Sequence, residues 1–255
     1  MCLLLVSYET HPRFKLIIAA NRDEFYDRPA EFAKFWNNYP TLLAGRDLKA
    51  GGTWLGITKH GRFAAITNYR DMKNLKKNAP SRGELVTSFL TGNDMPKVFS
   101  DKLLKTAENY NGYNLLFSDV NEFYYFSNQT KKSIKLLPGI YGLSNHLLDT
   151  PWHKVEKSKT SFKNILSKED VTADDLFNIL SDTSIQPDEL LPDTGLTFEI
   201  ERAVSPVFVA TPLYGTRSST VILVDNNNRV TFTERSLNTE TKEWITGEFH
   251  FKIEV

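Results

Sequence analysis

The chain carries one cysteine in 255 residues, and it stands at position 2, directly behind the start methionine. A thiol there has a specific chemical use. If Met1 is removed, as is usual before a small second residue, Cys2 gains a free α-amino group whose pKa of about 7.7–8.0 makes it a usable base at neutral pH. The thiol can then attack a carbonyl while the amine takes its proton and an oxyanion hole holds the developing charge. Retention of Met1 excludes that mechanism. Two apolar, β-prone runs, Cys2 to Tyr8 and Phe14 to Ala20, flank the polar, Pro-bearing Glu9-Thr10-His11-Pro12-Arg13 and read as a hairpin. A turn centred on His11 sets Leu5 against Ile17 and Cys2 against about Ala20, which brings Asn21-Arg22-Asp23-Glu24 beside the chain start. Asp23 could orient the ammonium form of the amine, and Arg22 could lower the thiol pKa or bind a carboxylate. Strand alternation places Asn21 and Asp23 on one face and Arg22 and Glu24 on the other unless the strand ends or bulges there. The competing reading makes Cys2 a small apolar residue at a strand start and residues 21–24 a solvated strand end, with ion pairs worth about 0–1 kcal/mol.

Further polar residues fall at element ends. Asn145, in Gly142-Leu143-Ser144-Asn145-His146, follows a strand and precedes a helix, where its amide could point into a site or make an Asx turn. Arg217 sits in Tyr214-Gly215-Thr216-Arg217-Ser218-Ser219-Thr220, a turn entering a strand, and reads as an anion-binding or supporting residue. No Gly-x-Ser-x-Gly elbow surrounds either serine, which rejects a serine hydrolase. Gly51-Gly52-Thr53-Trp54-Leu55-Gly56 lacks the lysine of a phosphate loop, and Trp54 could line an apolar pocket or pack in the core. The five histidines form no metal-ligand pair, so a structural metal is not expected. Covalent heme attachment would need two cysteines; a reversibly bound heme needs only one axial ligand and an apolar slot, and no residue announces itself as that ligand.

The elements that must position these groups follow from pattern and punctuation. Strands are expected at Thr41–Ala44, Thr53–Thr58, Arg62–Asn68, Tyr113–Ser118, Glu122–Ser127, Ser133–Leu137, Pro206–Thr211, Thr216–Val224, Arg229–Arg235 and Glu248–Val255. Helices are expected after a Ser81-Arg82-Gly83-Glu84 capping box with Gly92 as stop, over Pro96–Tyr110, from a Thr150 cap with Pro151 first in the helix, and over Thr172–Leu180 with Thr172 as cap. Strands, two helices, strands, two helices and strands again, with hairpin connections, indicate an α+β layered fold with two mainly antiparallel sheets between helix layers. No compositional break marks a boundary, so residues 1–255 are expected to be one domain.

Composition narrows the partners. Lys plus Arg and Asp plus Glu are 31 each, so no basic field gathers nucleic acid or an anionic membrane. A lone cysteine suits a reducing compartment, the apolar run at the start is too short for a signal peptide, and nothing approaches a membrane span. A cytoplasmic protein is expected, in an oligomeric state the sequence leaves open.

In order along nearly the whole chain, "AANRDEFYDRPA", "GGTWLGIT", "AAITNYRD", "SRGELVTSFL", "YNGYNLL", "GLSNHLLDTPWHKV" and "YGTRSSTVILVD" resemble the NRDE family, the transport and Golgi organisation group, and the resemblance includes the Met-Cys start. It implies a fold similar to the N-terminal nucleophile hydrolases, a four-layer αββα sandwich. In the cysteine branch of that superfamily, the bile-salt and penicillin amidases, it implies catalytic roles for Cys2, Arg22, Asp23 and Asn145, although here Arg22 and Asp23 are adjacent whereas the amidases separate them. The family is associated with heme trafficking, lipid homeostasis and binding of amphipathic ligands such as acyl-coenzyme A. The expectation is therefore an intracellular carrier of heme or another amphipathic metabolite, with no required cofactor, and with Asn21, Glu24, Trp54, Asn68 and Arg217 at the ligand. The alternative is a cysteine amidohydrolase that cleaves a linear amide.

Overall fold

The computed structural model describes residues 3–254. In chain order the strands and helices are β1 (Leu3–Tyr8), β2 (Phe14–Phe25), β3 (Ala30–Trp36), β4 (Tyr39–Asp47), β5 (Leu55–Thr58), β6 (Phe63–Asn68), α1 (Gly83–Thr91), α2 (Pro96–Thr106), β7 (Tyr113–Ser118), β8 (Phe123–Ser127), β9 (Lys132–Lys135), β10 (Gly139–Leu143), α3 (His153–Leu166), α4 (Ala173–Leu180), α5 (Phe198–Ala203), β11 (Tyr214–Asp225), β12 (Arg229–Leu237) and β13 (Trp244–Lys252). The fold is α+β with two sheets whose recorded strand pairs are antiparallel, as the element order led us to expect. The chain divides into two compact units, residues 3–27 with 138–251, and residues 28–137 with 252–254. Composition does not mark the division: one crossing falls inside β13 and another at Leu137-Pro138, without a Gly/Ser-rich linker.

The first unit holds a six-stranded sheet in the order β10-β1-β2-β11-β12-β13. Alternation sorts its central strands into two faces. Leu3, Leu5, Ile17, Ala19, Val221 and Leu223 point one way and pack on Val155 and Phe162 of α3 and Leu176, Phe177 and Leu180 of α4, forming the apolar core. Helix α4 is fixed at its start by Thr172, whose hydroxyl accepts from Asp175 N at 3.2 Å while the Asp175 carboxylate accepts from Thr172 N at 3.1 Å. Thr172 is thus the cap expected there, and the reciprocal bond makes it a capping box.

The second unit is a seven-stranded sheet in sequence order, β3 to β9, with α1 and α2 packed on it. Phe89, Phe99 and Phe117 form its aromatic centre, with ring centroids 5.0–5.6 Å apart.

Several local expectations are corrected. The first hairpin pairs Leu5 with Ala19 rather than Ile17, because the turn centres nearer Pro12; the slip is two residues, so the face of every side chain is preserved. Strand β2 runs on to Phe25 instead of ending at Ala20. Helix α1 begins at Gly83 with Arg82 as an uncapped N-cap, since Glu84 instead accepts from the Tyr110 hydroxyl. Helix α3 begins at His153, and Thr150 turns its hydroxyl to Leu147 O and His146 Nδ1. Residues 206–211 make only an isolated bridge, Ala210 with Gly215, because their backbone groups are shared between side chains, those of Asn21 and Thr216, and scattered backbone partners at Asp182, Tyr214 and Thr216 rather than one neighbouring strand. Strands β3 and β10 and helix α5 went unpredicted.

Candidate functional site

The described part of β1 starts between two polar segments. Leu3 pairs with Asn21 of β2 on one side, and Leu4 pairs with Leu143, the last residue of β10, on the other. Asn145, two residues beyond β10 and 3% exposed, and Asn21 to Asp23 therefore flank the same strand end. Cys2 lies outside the described residues.

The sheet divides the Asn-Arg-Asp-Glu run between its faces. On the helix side, Asn21 gives both amide hydrogens to backbone carbonyls, Leu180 O at 2.8 Å and Val207 O at 2.9 Å, and accepts from Ser219 Oγ at 2.7 Å. Its capacity is spent on holding α4 and the strap of residues 205–211 to the sheet. Asp23 accepts from Thr216 Oγ1 at 2.7 Å, and that hydroxyl in turn accepts from Val209 N at 2.9 Å. The other Asp23 carboxylate oxygen, Oδ2, is buried and has no hydrogen-bond partner among the described residues. A buried carboxylate oxygen without a donor is costly in a stability-only structure and marks a place where a donor is expected. Gly215 lets the strap close over this point: a Cβ there would meet Val209 O at 2.6 Å and the Tyr26 hydroxyl at 2.2 Å. Burial, and secondarily Asp23, raises the Tyr26 phenol above its usual pKa.

On the opposite face Arg22, 5% exposed, lies 3.6 Å from Glu24, its neighbour two residues along the strand. Arg22 pairs across the sheet with Ser218, and Ser218 with Ser236. One row further in, Thr220 donates to Glu234 Oε2 at 3.1 Å, and Ser236 donates to Glu234 Oε1 at 2.9 Å. The buried carboxylate of Glu234 was missed in the sequence, yet the signal is there: Val230, Phe232, Glu234 and Ser236 alternate along β12, and the first two are buried, so Glu234 occupies an inward position. Between the faces, β11 bulges at Arg217, where the register with β2 jumps from Thr216 opposite Asp23 to Ser218 opposite Arg22. The bulge turns Arg217 toward the end of β2, and it donates to Phe25 O at 2.8 Å and Tyr26 O at 3.3 Å. Burial pulls its guanidinium below the usual arginine pKa, against the nearby Glu24, Tyr26 and Asp27.

Apolar surface borders this charged strand end. Phe25 is 55% and Leu213 74% exposed, and Tyr26 N bonds to Leu213 O, which places the two at the same rim. Trp54 and Asn68 belong to the second unit. Trp54 is buried with its indole lying over Gly45, where an added Cβ would come within 2.5 Å of the ring, so it packs as core. Asn68 ends β6 opposite Tyr113 and is exposed. Among the described residues no three His, Cys, Asp or Glu side chains gather as a metal site, and no helix is long and apolar enough to cross a membrane.

Comparisons with known proteins agree with this geometry at the level of fold and family. A mutant of the conjugated bile acid hydrolase of Clostridium perfringens superposes with a TM-score of 0.52 at 8% identity, covering 100% of this chain and 99% of that one. A second variant of the same hydrolase gives 0.51. Such likeness shows the N-terminal nucleophile hydrolase type of fold. The mouse Transport and Golgi organization 2 homolog is 38% identical over 100% of both chains, the human homolog likewise 38% with full coverage, and the Drosophila melanogaster Transport and Golgi organization protein 2 is 26% identical over 93% of this chain and 92% of that protein. The family model described as Transport and Golgi organisation 2 matches residues 1–239, and the chain belongs to that family.

Proposed function

We propose that this protein is a cytoplasmic binder of an amphipathic small molecule, heme or an acyl-coenzyme A-like metabolite, held by its polar end at the β2 strand end. The observation that carries this reading is the gathering of two buried guanidinium groups, Arg22 and Arg217, about Glu24, beside the exposed apolar rim of Phe25 and Leu213. One side of such a site recognises carboxylate or acyl oxygen, and the other covers hydrocarbon. Two further facts favour binding over turnover. Arg22 and Asp23 sit on opposite faces of β2, so a nucleophile beside β1 shares a face with only one of them. Arg217 is engaged with the carbonyls of Phe25 and Tyr26. For heme, the arginines would meet the propionates, with the iron as cargo.

Titration of the full chain with heme, followed by its Soret band, and with an acyl-coenzyme A by calorimetry tests this reading. Saturable one-to-one binding of either ligand, weakened in Arg217→Gln, is expected. Binding that never saturates, or that is identical in Arg217→Gln, overturns it.

A second reading, a cysteine amidohydrolase with Cys2 as nucleophile, is favoured by one observation, the unpartnered Asp23 Oδ2. A free α-amine at Cys2 would be the kind of donor such an oxygen takes. This reading requires loss of Met1 and predicts that Cys2→Ala abolishes hydrolysis of a small acyl-amide panel with the fold intact.

A further inference from the structure

The strap of residues 205–211 has two sides. Its odd residues face inward: Val207 and Val209 are 3% and 1% exposed, Val207 O accepts from Asn21, and Val209 N donates to the hydroxyl that holds Asp23. Its even residues, Pro206, Phe208 and Ala210, line a separate half-open cavity of about 460 Å³ within the first unit, together with Ile185, Phe198 and Ala203. These side chains are hydrocarbon, and Ile185 and Phe198 are 51% and 53% exposed, an arrangement that leaves apolar surface in water without a fold-level reason. At the rim stands Arg202, whose Nε–H goes to Asp188 Oδ1 at 3.0 Å. Its two terminal amino groups have no partner among the described residues. Among the described residues the one carboxylate lining the cavity, Glu199, is turned back onto its own backbone and the Thr197 hydroxyl, which lowers its pKa, so Arg202, ion-paired through Nε with Asp188 outside the lining, keeps its terminal amino groups for a ligand.

We propose that this cavity is a second small-molecule site that takes an unbranched alkyl chain ending in a carboxylate, the chain against Phe198, Pro206 and Phe208 and the carboxylate on the Arg202 fork. The site is independent of the strand-end ligand but shares the strap with it. An occupant that packs on Phe208 and Ala210 also steadies Val209, and through Thr216 it steadies Asp23.

The test is calorimetric titration of the full chain with decanoate and with decan-1-ol below their aggregation limits, read together with amide hydrogen exchange at Val209. Decanoate is expected to bind about tenfold more tightly than the alcohol, the difference one charge-assisted contact supplies, and Arg202→Gln should remove that preference. Ala210→Trp, at an exposed position, should fill the cavity and abolish decanoate binding with the melting temperature kept. Bound decanoate should slow exchange at Val209. Asp23→Asn should leave decanoate binding intact, because the carboxylate site is elsewhere. Equal affinity for acid and alcohol overturns the Arg202 assignment, and binding that survives Ala210→Trp overturns the cavity. Loss of decanoate binding in Asp23→Asn would place decanoate at the strand end and sink the proposal, whatever the fate of the strand-end reading.

Discussion

Replacing Asn21 with leucine removes three hydrogen bonds of 2.7–2.9 Å from a position that is fully buried, while keeping the branched heavy-atom shape of the side chain. The carbonyls of Leu180 and Val207 and the hydroxyl of Ser219 are left in a dry core, each at about 1–3 kcal/mol for an orphaned buried polar group. The leucine returns part of this as apolar burial, so the net loss is expected at about 3–6 kcal/mol, a large fraction of the roughly 5–15 kcal/mol that holds a domain together. Urea unfolding followed by circular dichroism should show a lower midpoint with an unchanged slope, since the native surface is the same. Ser219→Ala removes only one partner and should cost about 1 kcal/mol. An Asn21→Leu protein within about 1 kcal/mol of the parent would refute the assignment of Asn21 to the fold, and would return its amide to the ligand.

Three further outcomes follow from single positions. Gly215→Ala drives a methyl against Val209 O and should cost roughly 1–3 kcal/mol by displacing the strap, with ligand affinity falling in parallel in the titrations above. Thr172→Ala deletes the capping box of α4 and should lower the unfolding free energy by about 1 kcal/mol in the same urea assay. Burial lowers the His146 pKa from 6.5, so just below pH 6.5 the unfolded chain binds more protons than the folded one. Stability should be full above pH 6.5 and decline as pH falls through that window, and His146→Gln should flatten the decline; a profile identical to the parent's would contradict it.

The α+β order with two antiparallel sheets, the first hairpin and the family resemblance were legible because they rest on robust signals: alternation, turn residues and quoted motifs. What escaped did so for physical reasons. Strand β3 is an edge strand with bulges that interrupt its alternation, and β10 carries two glycines, so neither presents a clean period of two. Residues 206–211 read as a strand because they are extended and apolar, but their backbone partners are divided between the side chains of Asn21 and Thr216 and the separate backbone groups of Asp182, Tyr214 and Thr216, which only tertiary structure reveals. The division of Arg22 from Asp23 was foreseeable from alternation. The bulge that releases Arg217 arises on β11, whereas alternation alone calls for an end or a bulge on β2. Trp54, a candidate pocket wall, owes its burial to Gly45, a neighbour from another strand.

The central claim is that the β2 strand end binds an amphipathic ligand without breaking it. Intact-mass and native mass spectrometry of the full chain, after incubation with an acyl-coenzyme A, tests this in one spectrum. The account predicts a one-to-one complex that releases the ligand at its original mass and leaves the polypeptide unmodified. An acyl adduct on Cys2 with cleaved ligand, or no complex at ligand concentrations that saturate the calorimetric titration, would contradict it.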